Sequence, residues 1–425
     1  MNNHKTKYLI IGGGISGLAF ANQVEDYLIV EKENRLGGYC KTTRKNGFVW
    51  DYAGHFFHFN TEEYKKMFLD NVQADDLVYQ EKCTKIFNKD KLIDYPFQTN
   101  IHQLDKQDFI DCLYDLFNKD EKENYDNFLD MLYGKFGKSI TEMFLKPYNE
   151  KLYACDLTTL DKDAMGRFFP YADKEAIINN MKEGANASYN NTFLYPKQGA
   201  EIIIDILAKN LDSNRIWLDH SLTSLDKENK IAIINGKSIQ YEYLINTAPL
   251  NQFLSTFVDG SGDALKAMLT YNQVLVFNLG FDKKSIYTDE HWLYLPEKTF
   301  NFYRIGFYDN ILRTDALSMY IEIGYEKDAV IDEEEIASQL DKTLDNLMRM
   351  GVITEGMKLI DYEAILMDPA YVHINSECEK VKQAVFTQWE FDNIYSIGRY
   401  GEWTYCSMED CMVSASQLAK RINHD

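Results

Sequence analysis

The sequence predicts an α/β fold: a dinucleotide-binding Rossmann-like βαβ domain, with an inserted helical domain and an antiparallel-sheet substrate domain. Three observations carry this. The apolar run Tyr8–Ile11 enters the turn Gly12-Gly13-Gly14-Ile15-Ser16-Gly17, and a second apolar run, Tyr27–Val30, ends in Glu31. Amphipathic three- and four-residue spacing follows between about 60 and 173 (Phe109, Leu113, Leu116; then Phe128, Leu132, Phe136). From about 270 to 330 the pattern alternates like strands.

The N-terminal elements come in the order strand, glycine turn, small-residue helix, strand, acid. Gly12, Gly14 and Gly17 permit a tight turn and let backbone approach a pyrophosphate at the helix N-terminus, while Glu31 can accept ribose hydroxyls. The next residues, Glu31-Lys32-Glu33-Asn34-Arg35-Leu36-Gly37-Gly38, add an arginine and a glycine pair. They resemble the second fingerprint of flavoproteins of the amine-oxidase and UDP-galactopyranose mutase type, which implies FAD rather than NAD.

The 425 residues carry a formal net charge of −21, which argues against nucleic acid or an anionic membrane as the main partner. Only nine arginines are present, so each arginine inside a motif carries weight. The seven cysteines are scattered without a CxxC, which favours free thiols, a reducing cytoplasm and no metal site. With no signal peptide and no apolar run of membrane-spanning length, the expectation is a cytoplasmic enzyme.

Further elements are expected as a helix over Glu201–Leu211, a hairpin strand at Ile231, a buried strand over Tyr243–Thr247, and strands over Val274–Leu279, Asn301–Phe307 and Ala316–Ile323. A helix is expected over Asp332–Met350, and a last strand, Ile394–Ile397, runs into a glycine turn and the helix Asp410–Ile422. The domains interleave: 1–58, 190–260 and 378–425 form the cofactor domain, 59–189 the helical insertion, and 261–377 the antiparallel-sheet substrate domain.

Several segments, in order along nearly the whole chain, resemble those of the UDP-galactopyranose mutases: Gly54-His55, Lys91–Asn100, Lys146–Tyr153, Asn301–Arg304 and Gly398–Tyr405. The resemblance implies an FAD-dependent pyranose/furanose mutase acting on a nucleoside-diphosphate sugar in surface-glycan precursor synthesis. Reduced flavin N5 is the nucleophile at the anomeric carbon, and the reaction is redox-neutral. It also implies an external reductant such as NAD(P)H.

A departing diphosphate is best met by an arginine fork. Arg304, on an alternating apolar strand, is the first candidate, followed by Arg399 at a strand end, where open α/β sheets bind ligands. His55 is expected against the flavin. The expected cofactor set is Gly12, Gly14, Ile15, Ser16, Gly17, Glu31, Lys32, Arg35, Gly37, Gly38, Gly54, His55, Arg399 and Met408. The expected substrate set is Tyr153, Arg167, Tyr303, Arg304, Tyr371 and Tyr405.

The chain also departs from the family. Tyr153 stands where the mutases have tryptophan, and of their arginine pair only Arg167 remains, with Tyr171 at the second position. The segment Cys406–Asp410 differs too, so the sugar nucleotide need not be UDP-galactose. Two other readings are an amine-oxidase or protoporphyrinogen-oxidase-like flavoenzyme and a non-catalytic FAD-bound scaffold. The arginines of a diphosphate clamp separate the mutase from the oxidase.

Overall fold

The computed structural model describes residues 4–166, 169–183 and 192–424. The N-terminal strand His4–Ile11 is central to a seven-stranded sheet. It pairs in parallel with Tyr27–Val30 on one side and with Lys237–Asn246 on the other. Ile216–Trp217 and Ile394–Ser396 extend the parallel set, and the antiparallel strands Ile231–Ile234 and Leu222–Asp226 continue it. Apolar runs such as Tyr-Leu-Ile-Val, buried at all four positions, are what a sheet covered on both faces requires.

One face is covered by the helix Ile15–Ala21, buried along its whole length, together with Ile202–Ala208 and Met408–His424. The other face carries Leu250, Phe253, Leu254, Trp389 and Trp403.

A second seven-stranded sheet runs in the order Leu359–Met367, Asn272–Phe281, Ser318–Glu326, Arg304–Phe307, Trp292–Tyr294, Thr84–Asn88, Lys91–Asp94. All its pairings are antiparallel except that of Trp292–Tyr294 with Thr84–Asn88. Its strand Asn272–Phe281 is buried at all ten positions.

The helical expectation for 60–173 holds for Glu62–Asn71, Lys106–Phe117, Phe128–Phe136 and Lys146–Tyr153. It fails at Leu77–Glu81, Thr84–Asn88 and Lys91–Asp94, which are strands. The last two form a hairpin whose turn residues Lys89 and Asp90 both have positive φ (51° and 59°). That is the primed turn that matches strand twist, but Lys89-Asp90 lacks the glycine that usually signals it.

The strand expected from Asn301 begins only at Arg304, and the helix expected over Glu201–Leu211 is Ile202–Ala208. Instead of a bare turn, Gly398–Gly401 makes one helical turn. The strand Leu359–Met367 and the helix Ser376–Phe391 lack a periodic signal strong enough to be expected.

Candidate active site

A cleft of about 720 Å³ lies between the parallel sheet and the antiparallel one, within the range of small-molecule sites. Its floor is the first strand-to-helix turn. Gly12 takes a φ of +105°, and a Cβ there would lie 2.5 Å from Thr247 Oγ1. Thr247 bonds back to the carbonyls of Ile11 and Gly12 (2.9 and 3.1 Å), so the turn is pinned from the neighbouring strand end.

Gly14 is different. A Cβ on it would meet only the Cα of Gly38, at 4.0 Å, and one on Gly38 only the Cα of Gly14, at 3.7 Å. The two glycines thus stand side by side with no protein side chain in the space a Cβ would take, and Gly38, at φ +55°, also holds a left-handed backbone that favours glycine. This is a cradle that side chains would fill. Glu31 Oε2 accepts from the Gly13 amide (2.7 Å) and Oε1 from the Glu33 amide (2.9 Å), fixing a buried carboxylate whose remaining lone pairs face the cleft. Ile15, Ser16, Lys32, Gly37, Gly54 and Met408 also line it. Glycine cradle, helix N-terminus and ribose-spaced acid together fit a dinucleotide.

Four expected cofactor or substrate residues, Gly17, Arg35, Tyr153 and Tyr303, do not line the cleft. Gly17 is away from the cleft and is small for packing, since its Cβ would lie 2.1 Å from Gly12 O. Arg35 turns to Glu201 (3.3 Å), which also takes Arg44. A carboxylate at that distance outcompetes a cleft the side chain does not line. Tyr153 is buried among Phe128, Tyr371 and His373, so it supports Tyr371 from behind rather than reaching a ligand. Arg167 lies outside the described residues.

At the far end the cleft is lined by Arg304, Glu322, Tyr371, Arg399 and Tyr405. Arg304 Nη2 donates to both oxygens of Glu322 (2.5 and 2.6 Å) and lies 3.3 Å from the Tyr371 hydroxyl. Tyr303, expected at the substrate, is fully buried and donates to Glu322 Oε2 (2.6 Å) instead. Tyr303 lies just before the strand Arg304–Phe307, packs against Tyr148 in the core and reaches the same carboxylate as Arg304.

Glu322 escaped the sequence reading, although an acid between two isoleucines on an apolar strand was a usable signal, because a buried charge needs a partner. The Arg304 charge is therefore already answered by Glu322, while its Nε is buried without a partner.

Arg399 is placed differently. Its Nη1 donates to Cys406 O (3.1 Å), and its guanidinium lies 4.4 Å over the Tyr405 ring, which stacks on Tyr371 (5.9 Å, 20°). Among the described residues no carboxylate lies within ion-pair distance of it. The helix Met408–His424 begins beside it, capped by Ser407 and Asp410, which exchange hydrogen bonds (2.8–3.2 Å). Its positive end adds to the same potential.

His55 sits between the two arginines. Burial, with Arg399 and Arg304 adding, lowers its pKa to about 4, so the ring is neutral near pH 7. Its Nδ1 lies 3.3 Å from Ala53 O.

Residues 10–71 match the model of the NAD(P)-binding Rossmann-like domain. The chain is 25% identical over 273 residues to a corticosteroid-binding protein of Candida albicans, covering 57% of this chain and 52% of that one. It is 24% identical over 248 residues to a UDP-galactopyranose mutase of Mycoplasma genitalium, covering 52% of this chain and 58% of that one. The matched segments thus span little more than half of these relatives' lengths. A crystal structure of reduced UDP-galactopyranose mutase superposes with a TM-score of 0.90 at 21% identity, covering 99% of this chain and 94% of that one. The fold is that of the mutase, across essentially the whole chain.

Proposed function

We propose that this cleft holds FAD and that the protein is a flavin-dependent pyranose/furanose mutase acting on a nucleoside-diphosphate sugar. One observation carries the reading most: Arg399, a cation with no carboxylate partner among the described residues, stands over aromatic rings at the end of a cleft whose other end fits a dinucleotide. In a protein of net charge −21, a local cation of this kind is what would attract a dianion. Bound FAD, in its reduced form, would supply a nucleophilic N5 for the anomeric carbon.

The chain's own residues do the rest. Gly12, Gly14, Gly37 and Gly38 would admit the cofactor's pyrophosphate, Ser16 and Met408 would border it, and Glu31 and Lys32 would meet its ribose side. Arg399 binds the substrate diphosphate and stabilises its charge on departure, with Tyr405 and Tyr371 flanking it. Arg304 orients the leaving group through its free Nε edge while Glu322 holds its fork in place. His55, being neutral, offers polar contact without competing for the anion. Substrate-domain boundaries near 261 and 377, a cytoplasmic setting, a role in surface-glycan precursor synthesis and an NAD(P)H-type reductant belong to the same proposal.

The test is to purify the protein, measure its flavin, reduce it, add UDP- and dTDP-sugars and follow ring-form interconversion by NMR. Turnover that requires reduced flavin without stoichiometric oxygen or NAD(P)H consumption supports the mutase. Substrate loss coupled to steady hydrogen peroxide release would assign it to the oxidases instead.

A further inference from the structure

Three cysteines, Cys40, Cys406 and Cys411, line the cleft, and the proposed reaction uses none of them. Two are in contact: the sulfurs of Cys406 and Cys411 lie 3.6 Å apart. No other cysteine pair among the described residues has its sulfurs in contact.

Cys406 stands just before the N-cap Ser407, and Cys411 lies in the first turn of Met408–His424, where helix amides favour a thiolate. The hydrogen bond shared with the Cys406 thiol, then the Arg399 backbone amide, Ser16 and last the Arg399 guanidinium hold the Cys411 thiol below its ordinary pKa, against the effect of burial. Burial pushes the nearby Cys40 up to about 12, which leaves it a poor nucleophile. One thiol is thus prepared to attack, and a second stands next to it to resolve the product. Closing to a bond of about 2.05 Å needs a shared approach of roughly 1.6 Å, within reach of a side chain outside the helix.

We propose that Cys406 and Cys411 are a peroxide-responsive dithiol that closes reversibly to a disulfide and thereby moves the Cys406 carbonyl that anchors Arg399. Cys411 sulfur attacks a peroxide oxygen; the O–O bond breaks, and Cys411 becomes a sulfenic acid with release of water. Cys406 sulfur then attacks the Cys411 sulfur, the S–O bond breaks, and a second water leaves. The two thiols lose two electrons and two protons, and the peroxide takes both. The modification requires only these side chains, so it stands apart from the mutase reading, although its consequence would fall on the same site.

The experiment treats the full-length protein with hydrogen peroxide, alkylates the remaining thiols and digests with trypsin. Cys406 and Cys411 share the peptide that follows Arg399. The expected result is that this peptide is lighter by two hydrogens, unalkylated, and restored by dithiothreitol. Hydrogen exchange over the same peptide should change on oxidation in the wild type and stay unchanged in Cys406→Ser and Cys411→Ser, each compared with its own reduced form. A bridge from Cys411 to Cys40, sulfinic acid without a bridge, or unaltered thiols would each overturn the proposal. So would a bridge that leaves the exchange around Arg399 unmoved. Both readouts are independent of flavin and of turnover, so a failed cofactor assignment would be seen separately.

Discussion

Gly14 and Gly17 stand three residues apart in one turn, and substituting them should have opposite effects. A Cβ at Gly14 meets no protein atom closer than 4.0 Å, and the backbone there is ordinary for any residue (φ −83°). Gly14→Val should therefore fold and melt normally but purify without FAD. A full flavin complement in the visible spectrum would refute the cradle. Gly17→Ala drives a Cβ into Gly12 O and should cost about 3 kcal/mol of stability, read by denaturant unfolding.

The arginines separate in the same way. Arg399→Ala leaves no orphaned carboxylate among the described residues, and should lower turnover roughly 30- to 1,000-fold, about 2–4 kcal/mol of transition-state stabilisation, with folding intact. Arg304→Ala abandons the buried Glu322 and should lose about 3 kcal/mol of stability as well as activity. Restoration of the melting temperature by adding Glu322→Gln would identify the stability part. A sequence shows two arginines on strands, and only the fold reveals that one of them arrives with its counter-ion.

At the scale of elements, Lys151 ties the helix Lys146–Tyr153 to the segment joining two strands of the antiparallel sheet. Lys151 Nζ donates to the carbonyls of Leu295 (2.8 Å), Glu297 (3.0 Å) and Phe302. The helix sits so close to the strand Ser318–Glu326 that a Cβ on Gly324 would lie 2.2 Å from Lys151 O. Lys151→Met keeps the length but leaves these acceptors unanswered, and should destabilise by about 2–4 kcal/mol in chemical denaturation. An unchanged midpoint would show that water replaces the ammonium at no cost. The helix lies within the stretch from about 60 to 173 that the sequence marks as helical. Its docking was not legible there, because the three acceptors come from a chain segment about 150 residues away.

For the whole molecule, proton linkage follows from buried histidines. Burial lowers His55, His58, His291 and His373 from 6.5 to about 4. Between pH 6.5 and 4 the unfolded chain protonates these rings while the folded protein does not, so their contribution is present above pH 6.5 and is lost on acidification. Asp51 and Asp309, raised by burial to about 6, act in the opposite sense over an overlapping window. A single-site difference isolates the effect. His373→Gln can still donate to Tyr153 O, and proton uptake on unfolding at pH 5.5, from the pH slope of stability, should fall by about one proton. An unchanged slope would mean that His373 titrates normally in the fold.

The first strand–helix–strand unit, its glycine turn and Glu31 were determined by the sequence alone, because each depends on contiguous residues: apolar runs for buried strands, glycines at the turn, an acid one strand later. Arg304, Arg399 and His55, each quoted within a motif, line one cleft with Tyr371, yet their roles depend on contacts across hundreds of residues. Tertiary structure alone decided that Glu322 answers Arg304, that Tyr303 and Tyr153 lie behind the site, that Arg35 pairs with Glu201, and that Thr84–Asn88 completes a sheet begun far along the chain. The physical reason is the same in each case. Local pattern sets what a segment can form, whereas charge pairing and burial are settled by whichever distant group arrives first within bonding distance.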